Sequence, residues 1–168
     1  YKNPLDVTKN TKVDILFELI GFSDGISKKV VESAIKFHKS YIDDGLEALI
    51  RLGGFELSAI VGARLAARLM RIPVVLDGYI TTSAAVALEA TEKGALDHCL
   101  VSHVSTEPGH RRILETIQKK PLLDFNMRLG EASGAALAVG LLKAAVNCHN
   151  GMSTFAEAAV SNKDEQKC

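Results

Sequence analysis

The sequence predicts an α/β protein with a parallel sheet and helices on both faces, and it is rich in helix. Two short apolar runs with branched side chains, "IPVVLDG" at 72–78 and "DHCLVSH" at 97–103, are typical of buried parallel strands. The alanine-rich segment "YITTSAAVALEATEKG" lies between them. Strand, helix and strand thus follow within about thirty residues, which indicates a crossover unit.

Helical periodicity dominates the residues before the first strand. Apolar residues recur at three- and four-residue spacing from Ser27 to about Tyr41 and again from Phe55 to Met70. The second stripe consists of Leu57, Ile60, Val61, Leu65 and Leu69. A third helix is expected in "GLEALIRLGG", because Asp43 and Asp44 precede it as caps and a glycine pair can end it.

Two more helices are predicted after the second strand. One should begin near Pro108 and end before Pro121, since proline suits the first turn of a helix. The other should run from about Ala132 to His149. We therefore expect residues 1–168 to form a single α/β domain, in which the polar end 161–168 frays.

Composition restricts the classes of function. Of the 168 residues 47% are hydrophobic, enough to bury a core, and 20 basic residues balance 20 acidic ones. Because the charges balance, the protein has no net charge that would attract nucleic acid or an anionic membrane. No apolar run in the sequence is long enough to span a bilayer. We expect a soluble, cytoplasmic protein that binds small molecules or protein partners, with no nucleic-acid or membrane partner.

Neither the cysteines nor the histidines have the spacing of a metal site. The three cysteines lack a C-x-x-C pair, and the five histidines fall on different predicted elements. We expect reduced thiols and no bound metal.

Three polar loops are predicted at one edge of the sheet, where parallel strands end and ligands bind. The first is "LDGYITTS", in which Asp77 and Gly78 precede a helix with three hydroxyl side chains near its start. It could hold a phosphate or a ribose. The second is "SHVSTEPGH", which contains Ser105, and the third is "RLGEASGA", which contains Glu131.

Each of these loops also has a purely structural interpretation. Asp, Ser and Thr after a strand are most often helix caps, and a glutamate in the first turn of a helix is favoured by the helix dipole. Any one loop is weak evidence, whereas three together favour a site. The stripe Arg64, Arg68 and Arg71 is interpreted as a solvated face with no role in the site.

Longer segments resemble a known family. "GGFELSAIVGARLAARLMRIPVVLDGYITTSAAVAL", "SHVSTEPGH", "LLDFNMRLGEASGAALAVGLLKAA" and "MSTFAEAAV" are similar, in order and spacing, to the carboxyl-terminal half of the nicotinate-nucleotide dimethylbenzimidazole phosphoribosyltransferases. The resemblance covers about residues 20 to 160. It implies an incomplete Rossmann-like fold and a pentosyltransferase that moves phosphoribosyl from nicotinate mononucleotide to 5,6-dimethylbenzimidazole or a related azole. The product, α-ribazole phosphate, enters the lower loop of cobalamin.

The same resemblance assigns roles to residues of the three loops. Glu131 matches the general base that removes the azole proton, while Asp77 and Gly78 match nucleotide contacts. Ser105 matches a phosphate contact, and Leu129 and Gly130 lie beside the base-binding slot. The resemblance implies no cofactor, no metal and no covalent intermediate, and it implies a homodimer.

Departures from the family pattern keep two other hypotheses open. The upstream half of the family, with a phosphate loop and much of the benzimidazole pocket, is absent from these 168 residues. In "GFSDGISKKVV", Ser27 falls where the family has a lysine, next to Lys28 and Lys29. One alternative is a catalytically incompetent relative that serves as a nucleotide-binding or dimerisation module. The other is an α/β scaffold whose polar loops are only caps.

Overall fold

A three-stranded parallel sheet forms the centre of the computed structural model, which describes residues 26–161. The strands are β1 (Val74–Leu76), β2 (Cys99–Ser105) and β3 (Pro121–Met127), in the spatial order β1-β2-β3. Val75 pairs with Leu100, and His103 pairs with Leu123. The predicted α/β class is confirmed, as is the parallel pairing of the two strands expected from the sequence.

Six α-helices accompany the sheet within the described residues. They are α1 (Ile26–His38), α2 (Gly45–Ala48), α3 (Phe55–Leu69), α4 (Tyr79–Thr91), α5 (His110–Thr116) and α6 (Ser133–Gly151). A 3₁₀ turn at Lys39–Tyr41 follows α1, and a π-helical turn at Leu49–Gly53 follows α2. Every predicted helix is present, with ends shifted by a few residues. The crossover helix α4 contacts α3, α2 and β2, and α6 contacts all three strands.

The helical segment formed by α2 and the π-helical turn begins at its predicted cap and ends at its predicted glycine pair. Asp44 Oδ1 accepts a hydrogen bond from the N–H of Glu47 at 2.8 Å, which caps the first turn. Gly54, at φ 135°, separates the π-helical turn from α3 in a conformation that favours glycine. Gly45 lies so close to α4 that a Cβ there would come within 2.0 Å of the carbonyl oxygen of Ala87. Glycine is therefore required where the two helices cross.

Strand β3 was not predicted from the sequence. Its segment "PLLDFNM" alternates poorly, and most of its side chains are exposed because it is an edge strand of the described sheet. Proline at its first position is compatible with an edge strand, since no ladder hydrogen bond is lost there. The pairing with β2 shifts register between His103 and Ser105.

The hydrophobic core lies between the sheet and helices α3, α4 and α5. Its most buried members come from strands β1 and β2, from helix α4 and from the turn between α4 and β2: Leu76, Ala84, Ala85, Leu96, Cys99, Val101 and Val104. On α3 the predicted stripe is only partly buried, because Leu65 and Leu69 are 48% and 79% exposed. Cys99 and Cys148 are free thiols, and burial raises the pKa of the Cys99 thiol.

The arginine stripe of Arg64, Arg68 and Arg71 is only partly the solvated face that the sequence suggested, because Arg68 and Arg71 are exposed but Arg64 is buried. Arg64 is 4% exposed and donates from Nη2 to the carbonyl oxygen of Thr81 in α4, while its Nη1 has no partner among the described residues. Burial lowers its pKa to about 10. Arg68 donates to the carbonyl oxygen of Gly94 at 2.6 Å. Hydrogen bonds from both arginines therefore connect α3 to the crossover unit.

Some of the sequence-based predictions concern residues near or beyond the ends of the described range. The predicted frayed tail lies outside the described residues except for Ser161. Ser27 lies in the first turn of α1, and Lys28 and Lys29 are exposed on that helix. Within residues 26–161, no helix is long and apolar enough to cross a membrane. The same residues contain no group of three or more His, Cys, Asp or Glu arranged to hold a metal ion.

Candidate functional site

The three polar loops meet beyond the carboxyl ends of the strands, because all three strands are parallel. The N–H of Thr106 donates to the carbonyl oxygen of Met127 at 3.0 Å, which joins the loops after β2 and β3. Arg128 Nε and Glu107 Oε1, 2.7 Å apart, form an ion pair between the same two loops. The loop after β1 reaches α6 through Asp77. The loops thus form one connected surface.

Asp77 caps the long helix α6 from another part of the chain. Its Oδ1 accepts a hydrogen bond from the N–H of Ala135 at 2.8 Å, and its side chain is almost completely buried. This N–H belongs to the first turn of α6, whose amides have no partner within the helix. The carboxylate that the sequence assigned to the nucleotide therefore also holds the start of α6 in place.

Gly78 and the hydroxyls that follow it are bonded within α4. The carbonyl oxygen of Gly78 accepts from Thr81 Oγ1 at 3.1 Å and from Thr82 Oγ1 at 2.7 Å. Ser83 Oγ donates to the carbonyl oxygen of Tyr79 at 2.8 Å. In the structure these hydroxyls donate to the backbone of α4. Binding of a phosphate or a ribose by this loop stays a prediction.

Ser105 ends β2 and is buried. Its Oγ accepts from the N–H of Glu107 at 3.2 Å, and its own N–H donates to His110 Nδ1 at 2.8 Å. A pocket of about 270 Å³ adjoins it. The lining comes from the loop after β2 and from β3 and α5: Val104, Ser105, Thr106, Glu107, Pro108, Arg111, Asp124 and Asn126. Ser105 thus lies at the wall of an open, partly polar cavity.

Glu131 lies in a left-handed turn before α6, not in the first turn of that helix. Gly130, Glu131 and Ala132 have φ angles of 74°, 53° and 59°, and α6 begins at Ser133. The helix-dipole interpretation of Glu131 is therefore weaker than the sequence suggested, because Asp77 caps the helix instead. Glu131 is exposed, and Leu129 beside it is 76% exposed.

Two buried histidines under the loops were missed in the sequence. His103 is 1% exposed and His110 is 0% exposed, and their ring centroids are 6.5 Å apart. Ser102 Oγ donates to the carbonyl oxygen of Asp77 at 2.6 Å, so it accepts from His103 Nδ1 at 3.0 Å. The signal in the sequence was a histidine inside each of the segments "LVSH" and "EPGH", but the scattered positions gave no spacing motif.

The electrostatics of this cluster favour the neutral form of His110. Burial lowers the pKa of His110, and the neighbouring His103 lowers it further. His103 Nδ1 also lies 4.0 Å from Asp77 Oδ1. A Cβ at Gly134 would come within 1.9 Å of His103 Nδ1, so the start of α6 fits against the ring only with glycine.

The chain is similar to known phosphoribosyltransferases along most of its length. The family model described as "Phosphoribosyltransferase" matches residues 24–160. A nicotinate-nucleotide–dimethylbenzimidazole phosphoribosyltransferase from Rhizobium leguminosarum is 58% identical over 134 residues, which are 80% of this chain and 40% of that protein. The enzyme of the same name from Rhizobium meliloti is 55% identical over the same share of each chain.

A solved structure is similar as well. The crystal structure of the nicotinate-nucleotide–dimethylbenzimidazole phosphoribosyltransferase from Thermus thermophilus has a TM-score of 0.73 and 39% sequence identity, and the match covers 81% of this chain and 41% of that one. The chain therefore spans about 40% of the length of the relatives that it matches.

Proposed function

Because this chain belongs to the nicotinate-nucleotide–dimethylbenzimidazole phosphoribosyltransferase family, we propose that it carries the catalytic loops of such an enzyme. The reaction proposed is transfer of phosphoribosyl from nicotinate mononucleotide to 5,6-dimethylbenzimidazole or a related azole. The products are α-ribazole phosphate, for the lower loop of cobalamin, and nicotinate.

One observation carries this proposal: Glu131 is exposed on a left-handed turn at the edge of the sheet where the three loops are bonded to one another. An open parallel sheet binds its ligands at this edge. An exposed carboxylate there can approach a ligand without first breaking an internal hydrogen bond.

The proposed chemistry requires a base. A neutral azole must lose its ring proton as its other nitrogen forms a bond to ribose C1, and the bond from C1 to nicotinate breaks with its electron pair. In our proposal the Glu131 carboxylate accepts the azole proton. The site also accelerates the reaction by holding the azole against C1 at near-attack distance.

The remaining assignments concern binding. We assign Gly78 and Ser105 to the nucleotide, Ser105 to its phosphate, and Leu129 and Gly130 to the azole. Asp77 is assigned to the nucleotide as well, and it also holds the start of α6, since its Oδ1 is bonded to the N–H of Ala135. No cofactor is part of this mechanism.

A cytoplasmic homodimer completes the proposal. Its support is that α6 presents several half-exposed apolar side chains, among them Leu137, Leu141 and Val146, which suit a protein partner. Sedimentation velocity at several concentrations would measure the oligomeric state, and a concentration-independent monomer would contradict the homodimer.

The reaction can be tested with a chimaera. Residues 24–160 of this chain replace the matching segment of the Rhizobium leguminosarum relative, which is 58% identical and therefore a compatible host. The chimaera is incubated with nicotinate mononucleotide and 5,6-dimethylbenzimidazole, and released nicotinate is measured. Turnover close to that of the unmodified relative is expected, and an inactive but folded chimaera would contradict the proposal.

The alternative function is a nucleotide-binding or dimerisation module without catalysis. It is favoured by a departure from the family pattern, because Ser27 stands where the family has a lysine. A chimaera that binds nicotinate mononucleotide but releases no nicotinate would support this alternative.

A further inference from the structure

Two completely buried side chains of the site, Thr82 and His110, have no part in the chemistry proposed above. Each is 0% exposed, and they are joined by a contact of 3.1 Å between Thr82 Oγ1 and His110 Nε2. Thr82 comes from α4, and His110 opens α5. A buried polar side chain destabilises the fold unless each of its hydrogen-bonding groups has a partner.

The direction of every hydrogen bond in this cluster follows from one backbone group. The N–H of Ser105 can only donate, so His110 Nδ1 accepts at 2.8 Å and carries no proton. The neutral ring then carries its proton on Nε2, which donates to Thr82 Oγ1. The hydroxyl of Thr82 in turn donates to the carbonyl oxygen of Gly78 at 2.7 Å.

This chain of hydrogen bonds, the His110–Thr82 relay, connects two loops of the site. One end holds the backbone N–H of Ser105 where β2 stops, and the other end holds the backbone carbonyl of Gly78 just after β1. Pairing between β1 and β2 ends at Leu76, so it does not extend to Gly78 or to Ser105. The relay therefore sets the spacing of the two loops where the sheet does not.

We propose that His110 and Thr82 are positioning residues that hold Gly78 and Ser105 in the arrangement that binds the nucleotide. The inference rests on the proposed function, because that function assigns Gly78 and Ser105 to nicotinate mononucleotide. Neither positioning residue touches substrate, so disruption of the relay raises the KM for the nucleotide. The KM for the azole and the proton transfer at Glu131 change little.

Paired substitutions at position 110 separate the two ends of the relay. In His110→Asn the side-chain oxygen lies near the place of Nδ1, so the acceptor for Ser105 is kept. In His110→Gln the side-chain amide lies near the place of Nε2, so the donor to Thr82 is kept and the acceptor for Ser105 is lost. We expect His110→Gln to raise the nucleotide KM about tenfold or more, because a buried N–H loses its partner, and His110→Asn to raise it less.

Substitutions in α4 test the other end. Thr82→Val removes the hydroxyl at nearly constant size and is expected to raise the nucleotide KM, and Thr82→Ser is expected to restore it. Thr91→Val is the matched control, because Thr91 Oγ1 makes the same bond to the helix backbone, to Ala87 O at 2.8 Å, but is exposed and distant from the relay. The control should leave both KM values unchanged.

The measurements are steady-state kinetics of the chimaera and calorimetric titration with nicotinate mononucleotide. Variants that melt at lower temperature with unchanged nucleotide KM would overturn the positioning role, and so would a fall in kcat alone. If the parent chimaera binds the nucleotide without turnover, the proposed reaction fails, while weaker nucleotide binding by His110→Gln still supports the relay. A parent that neither turns over nor binds the nucleotide overturns both proposals.

Discussion

The backbone of Glu131 has a left-handed conformation that residues other than glycine seldom adopt. Glu131 and Ala132 both have φ above 50°, directly after Gly130 at 74°. A left-handed residue costs about 1–2 kcal/mol, and such strain is found chiefly where the surrounding structure holds it for a function. The surrounding structure here is the capped start of α6, in which the N–H of Ala135 is bonded to Asp77.

Replacement of Glu131 by glutamine tests the proposed base. Glutamine keeps the shape of glutamate but cannot accept the azole proton, so kcat of the chimaera should fall by about 10² to 10⁴-fold. Nucleotide affinity should change little, because the carboxylate is assigned to the azole. Kinetics and nucleotide titration of Glu131→Gln measure both quantities, and wild-type turnover would refute the assignment.

The buried ring of His110 predicts a dependence of stability on pH. Its pKa in the folded protein is below the ordinary 6.5, first because of burial and second because of His103. Below pH 6.5 the unfolded chain binds a proton that the folded chain does not, so the contribution to stability is present above 6.5 and is lost as the pH falls toward the lowered pKa. The loss cannot exceed about 1.4 kcal/mol per pH unit.

Urea denaturation gives the free energy of unfolding of wild type and of His110→Asn between about pH 5 and pH 8. The difference between the two proteins at each pH measures the contribution of His110. The wild type should lose more free energy of unfolding than the variant on acidification. Parallel curves for the two proteins would show that His110 does not titrate differently in the fold. The nearest aromatic neighbours of its ring are Tyr79 and His103, with centroids at 6.2 and 6.5 Å.

At the scale of elements, the start of α6 depends on close packing against β2. Gly134 leaves no room for a Cβ beside His103, and the ring is itself held by Ser102 and buried. The helix thereby approaches the sheet closely enough for the N–H of Ala135 to reach Asp77. One small residue therefore sets the geometry of the loop that precedes the helix.

Two glycines of α6 provide a matched pair for testing this packing. Gly134→Ala should destabilise the protein by about 1–3 kcal/mol, because the new methyl group must displace a buried ring. Gly140→Ala, where a Cβ would meet nothing within 4 Å, should be neutral or stabilise the helix by about 0.5–1 kcal/mol. Chemical denaturation gives both values, and equal effects at the two sites would contradict tight packing at Gly134.

At the scale of the whole molecule, the chain provides one connected edge of a site. The three loops come from one parallel sheet, but the chain spans about 40% of the length of its relatives. Phosphoribosyl transfer requires the phosphate to be held while the azole lies against C1. We expect the 168 residues alone to supply only part of these contacts.

The isolated 168 residues should therefore turn over slowly. Released nicotinate should form at least about 10²-fold more slowly than with the chimaera, since misplacement of the reactants by even about 1 Å costs that factor. Both proteins are assayed at equal concentration, with circular dichroism to verify that each is folded. Equal rates would show that the other segments of the relatives are dispensable.

The sequence by itself determined the elements whose cause is local. Helical periodicity, the cap at Asp44 and the apolar runs of β1 and β2 depend on residues a few positions apart, and each is present in the structure. The placement of three loops at one edge also followed, because parallel strands all end on the same side. The roles assigned to Glu131, Asp77, Gly78, Ser105, Leu129 and Gly130 stay predictions.

Only the tertiary structure decided the features that depend on contacts between distant segments. Strand β3 has little pattern of its own and is ordered by pairing with β2. Arg64 is polar in sequence but is buried against Thr81, and Asp77 caps a helix that begins 56 residues later. The partner of a buried charge or imidazole is chosen by the fold, because in a low-dielectric interior each polar group must be satisfied by whichever segment lies beside it.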